Sequence, residues 1–86
     1  MITEHVHRAF LAQSENNDSN QMADEMRREL SETCPKVIWQ DHKSVAYNFI
    51  QSLCQAARWD LPDPNFAFLL AMDEAYRATH DSTEAK

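Results

Sequence analysis

Apolar side chains return at spacings of three and four over most of the chain, the period of helices that bury one face. Ile2, Val6, Ala9 and Phe10 share a face and predict a first helix from about Thr3, its N-cap, to Gln13. "SENNDSN" (14–20) follows as a loop of side chains that bond nearby backbone and so compete with helix. Met22, Met26 and Leu30, with Ala23 beside them, predict a second helix that opens after Asp18 or Ser19 and ends near Glu32. Pro35 disfavours helical geometry at Cys34. Val37, Ile38 and Trp39 then form a short apolar plug, either extended or a brief 3₁₀ turn.

The clearest pattern belongs to the third helix, expected to open at Asp41 or His42. Val45, Ala46, Phe49, Ile50, Leu53, Ala56 and Ala57 cover one arc, and Ser44, Asn48, Gln51, Ser52, Gln55 and Arg58 the other. In the fourth helix, "DPNF" supplies Asp63 as N-cap and Pro64 as first helical residue, and the pattern runs to about Ala78. Phe68, Leu69, Met72, Ala75 and Tyr76 share one broad face, taken as its core side. Phe66 and Leu70 lie opposite, among Asp73, Glu74 and Arg77. A helix apolar on both sides is expected to be covered on both. The cover is then Trp59 and Leu61 folding back from "WDLPDPNF" (59–66), the 37–39 plug, or another chain. Residues 79–86 read as a flexible polar tail, and 1–78 as a single helical domain.

Composition strengthens the helical reading. Among 86 residues there is no glycine, where average usage predicts roughly six. Glycine supplies the positive-φ positions of tight hairpins, so a chain without it is not expected to be built from them. The expected fold is all-α, a compact bundle of three to four short helices with a non-helical segment near 33–40.

Fourteen acids against eight Lys and Arg give a net charge of −6. Direct nucleic-acid binding needs concentrated cations, so a basic protein surface is the better expected partner. Cys34 and Cys54 are too few for a disulfide framework and fit a reducing cytoplasm. No signal peptide and no membrane span is expected.

No spacing in the chain carries a catalytic or cofactor motif. His5 and His7 in "HVH" point apart on a helix and do not chelate well. Cys54 borders an apolar arc, and no base is placed by sequence to activate it. The "DE" pairs at 24–25 and 73–74 read as solvated faces. No enzyme, metal or cofactor is therefore expected; a small metal- or thiol-dependent enzyme is the last of three alternatives.

The feature that stands out is an acidic ridge. Asp18, Glu25, Glu29 and Glu32 fall within about 60° of one another at helical spacing. Neighbours on such a ridge stand about 5–6 Å apart, near the phosphate spacing of a nucleic-acid strand. Arg27 and Arg28 are expected elsewhere on the helix, without neutralising it. The bland alternative is a solvated helix face with Asp24 supported by Arg28. The methionines alongside admit another reading, an exposed and adaptable apolar strip. Tyr47, on the polar side of the third helix, is a further candidate contact.

In size, charge and helical content the chain resembles the inhibitors that phages and mobile elements encode, among them anti-CRISPR and anti-restriction proteins, some of which mimic nucleic acid. The resemblance implies a non-catalytic inhibitor or regulator that blocks a basic, nucleic-acid-binding surface of a larger protein in the host cytoplasm. Its expected contacts are Asp18, Glu25, Glu29, Glu32, Tyr47, Phe66 and Leu70. A homo-oligomeric subunit, meeting its copy through Phe66 and Leu70, is the second alternative.

Overall fold

The computed structural model describes residues 2–59 and 63–84, and they form four helices without a strand. These are α1 (Ile2–Ala12), α2 (Ser19–Thr33), α3 (Val45–Ala56) and α4 (Pro64–Glu84). The most extensive packing is α3 on α4, then α2 on α3, then α1 on α2. The expected small all-α bundle is therefore the fold.

Side-chain caps set the helix starts. The Asp18 carboxylate accepts the N–H groups of Asn20 (3.0 Å) and Gln21 (3.4 Å), satisfying two donors that α2 leaves open. Asp63 does the same for α4, accepting the Asn65 N–H at 3.0 Å.

Helix α3 opens at Val45, later than the expected Asp41 or His42. Ser44 is the reason. Its hydroxyl accepts the Tyr47 N–H (3.0 Å) and donates to the Ile38 carbonyl (2.7 Å). Asp41 instead accepts the Lys43 N–H, and Asn48 Nδ2 donates to the carbonyls of His42 and Ser44. The segment 41–44 is thereby held as a turn.

The segment 34–40 is neither strand nor 3₁₀ helix but a turn followed by irregular chain. The Val37 N–H (3.2 Å) and Trp39 Nε1–H (3.0 Å) both donate to the carbonyl of Cys34, folding the segment over the core. Trp39 is buried, Val37 half-buried, and Ile38 points out.

The core is Val6 and Ala9 from α1; Met22, Ala23, Met26 and Leu30 from α2; Trp39; Ile50, Leu53 and Cys54 from α3; and Ala71 from α4. Met22 and Met26 are thus core residues and form no exposed strip. Ala57, expected on the buried arc, is the exposed C-cap of α3.

Helix α4 departs most from expectation. It runs on to Glu84, past Ala78, and takes in most of the segment read as a tail. Its buried residues are Ala71 and Ala75, with Ala67 and Phe68 half-buried. Leu69 (67% exposed), Met72 (53%) and Tyr76 (54%), expected in the core, face outward. Alanines at i, i+4 and i+8 let α4 lie close along α3 on its small-residue side. The larger side chains, rotated away from that contact, are left outside.

Candidate functional site

The seven residues singled out by sequence do not form one site. On α2, Glu29 and Glu32 are exposed and take part in no ion pair among the described residues. Glu25 is half-buried, and its carboxylate lies 3.3 Å from Arg28, so this part of the ridge is neutralised after all. Asp18 is exposed but serves the N-cap. Asp24 pairs with Arg27, not with Arg28. The ridge therefore presents two uncommitted carboxylates, flanked by two that have intramolecular work.

Arg27 points inward, only 2% exposed. One guanidinium nitrogen donates to Asp24 (2.7 Å) and another to Gln51 Oε1 (3.2 Å), while its Cζ sits 3.8 Å from the centre of the Tyr47 ring. Gln51 in turn donates to Asn20 Oδ1 at 2.8 Å. This network ties α2 to α3 and satisfies a buried cation from both sides. Tyr47 is half-buried beneath Arg27 and its face is used. It covers a neighbouring helix and does not stand out as a contact residue.

Phe66 is exposed, whereas Leu70 is half-buried. Leu70 lines a shallow depression of about 150 Å³ with Trp59, Ala71 and Glu74. Trp59 thus shares this depression with Leu70 but is itself exposed, and Phe66, which it was expected to cover as well, is also exposed. Leu61, its expected companion, lies outside the described residues.

Cys54 is fully buried, its thiol 3.4 Å from Met26 Sδ. Burial pushes the thiol up to about 12, against a smaller opposing pull from Arg27 and Arg58. At neutral pH it stays protonated, and only the thiolate is nucleophilic. Among the described residues, no three His, Cys, Asp or Glu side chains are grouped to hold a metal ion.

A second concavity was not foreseen. It is a groove of about 820 Å³ to which four parts of the chain contribute. Val6 and His7 come from α1; Val37 and Trp39 from the connector; Val45, Ala46 and Phe49 from α3; and Asn65, Phe68, Leu69 and Met72 from α4. Phe68 is its pivot, with ring centres at 6.1 Å from Phe49 and 6.4 Å from both His7 and Phe10. Among the described residues, no Asp, Glu, Lys or Arg lines it, and no residue of α2 does. Its volume falls in the range of about 300–1,000 Å³ typical of binding pockets. Ala67, Ala71 and Ala75 were the signal for it, since a small-residue stripe marks the contact side of α4 and sends Leu69 and Met72 outward.

The fold and these surfaces define a small all-α bundle with an acidic helix face and, apart from it, an uncharged apolar groove. Among known proteins, no family model matches the chain, and no curated protein and no solved structure matches it. Among the described residues, no helix is long and apolar enough to cross a membrane.

Proposed function

We propose that this protein is a small non-catalytic interaction module, an inhibitor or regulator that covers a basic, nucleic-acid-binding surface of a larger protein. The observation that carries this reading is the outer face of α2, where Glu29 and Glu32 stand exposed and outside every ion pair among the described residues. The helix that holds them is fixed from beneath by Met22, Met26, Leu30 and the buried Arg27. Carboxylates on such a helix keep a set spacing, and the net charge of −6 steers the molecule toward cations. Inhibition is then steric: this protein and a nucleic acid compete for the same Lys and Arg side chains. Phage-encoded anti-CRISPR and anti-restriction proteins, which the chain resembles in size, charge and helical content, include inhibitors that mimic nucleic acid in this way.

The test is charge reversal at the two uncommitted carboxylates, Glu29→Lys with Glu32→Lys. Wild-type protein immobilised at low salt should retain a basic protein from a host lysate and release it as salt rises. Titration calorimetry with that partner should show the double variant binding at least about tenfold more weakly, a loss of about 1.4 kcal/mol, with unchanged helicity. Equal affinity for the two proteins would defeat the proposal.

A further inference from the structure

We infer that the apolar stripe of α4, whose Leu69 and Met72 form one wall of the groove, is a self-association surface, and that its occupant is α4 of a second copy of this chain. The inference rests on a surface to which α2 contributes no residue and does not depend on the function proposed for that helix. That wall, with Leu69 and Met72 exposed, fits the apolar side of another amphipathic helix. Among the described residues, α4 is the only helix with more than one large apolar side chain left exposed. Leu69, Met72 and Tyr76 fall within about 60° of one another around it, so they form a single stripe.

Charge decides the occupant. A chain of net charge −6 repels its copies, but the ridge acids are on α2, which lines no part of the groove. Beside the α4 stripe, among the residues whose side chains are described, stand Asp73 and Arg77, 3.3 Å apart. A twofold axis at the level of residue 74 makes this flank complementary to itself. Two antiparallel α4 helices then place Met72 of one copy against Tyr76 of the other. Asp73 of each falls beside Arg77 of the other, on the same flank. Methionine against an aromatic ring is a favourable contact, and a twofold pair is the commonest way for identical chains to meet.

Sedimentation equilibrium from 1 to several hundred micromolar tests this. Wild-type protein should pass from monomer to dimer, and Met72→Glu, an exposed position, should weaken the dimer at least about tenfold at unchanged helicity. Asp73→Arg should weaken it too, and Asp73→Arg with Arg77→Asp should restore it. Phe66→Glu, outside the stripe, should leave it intact. A wild-type protein that stays monomeric throughout would overturn the inference. So would a Met72→Glu variant that dimerises as well as wild type, a charge swap that fails to restore association, or a dimer lost only in Phe66→Glu.

Discussion

Arg27 illustrates how one side chain fixes the meeting of two helices. A buried cation is tolerated only when its charge and donors are answered, and here Asp24, Gln51 and the Tyr47 face answer them. Arg27→Ala removes the cation over the ring and leaves Gln51 without that partner. The expected loss is about 2 kcal/mol, the scale of a desolvated cation–π contact with a charged hydrogen bond, read from urea unfolding. Tyr47→Leu, which keeps an apolar cover, should lose about half as much; no loss at all would mean that packing, not the ring's charge distribution, holds the site. Cys54 gives a second residue-scale expectation. Its thiol holds the proton up to about 12 when folded, against 9.0 as the ordinary value. Between those values the unfolded chain has released a proton that the folded one retains, so stability falls as pH rises above about 9. Below that the group contributes no slope. Unfolding measured from pH 7 to 11 should show the decline in wild type and a shallower one in Cys54→Ala. At pH 8 a thiol reagent should modify Cys34 alone until the protein is unfolded.

At the scale of elements, caps and small residues decide more than hydrophobic period does. Ser44→Ala takes away both the cap on α3 and the bond to the Ile38 carbonyl. The cost should be about 1–2 kcal/mol in thermal or urea unfolding, with far-UV helicity at 20 °C nearly unchanged. The same features explain what the chain revealed in advance. The existence of all four helices and the caps Asp18 and Asp63 were legible, because period and cap chemistry are local. The start of α3 was not, since Asp41 and Ser44 are both competent caps. Choosing between them needed the Ile38 carbonyl and the Asn48 side chain. The buried side of α4 was misread for a different reason. Ranking faces by large apolar residues assumes that size wins the interior, whereas close approach to α3 favours Ala67, Ala71 and Ala75. Ala71→Leu should therefore destabilise by about 1–3 kcal/mol through overpacking, while Leu69→Ala, on the exposed side, should change stability by about 0.5 kcal/mol or less.

For the molecule as a whole, the decisive question is what closes the bundle. The chain of contacts runs α1 to α2 to α3 to α4, and Phe68 bridges its two ends by meeting His7 and Phe10 of α1 as well as Phe49 of α3. That bridge joins residues some sixty positions apart, beyond the reach of any helical period. Hence the closure of the groove was illegible, although the alanine stripe of α4 marked one of its walls, whereas the acidic ridge, on α2 and its cap, was visible at once. Arg28's hold on Glu25 depended on a choice of rotamer that spacing alone does not make. If Phe68 is the closure, Phe68→Ala should act regionally. A half-buried phenylalanine should cost about 2 kcal/mol, below the 3–5 kcal/mol of a fully buried one. The loss should fall on α1, whose remaining anchor is the burial of Val6 and Ala9 against α2. Native-state hydrogen exchange reads this directly: amides of residues 6–10 should exchange much faster in the variant, while those of α2 and α3 speed up little or not at all. Uniform acceleration across all four helices would instead make Phe68 an ordinary core residue, and α1 an inseparable part of one cooperative unit.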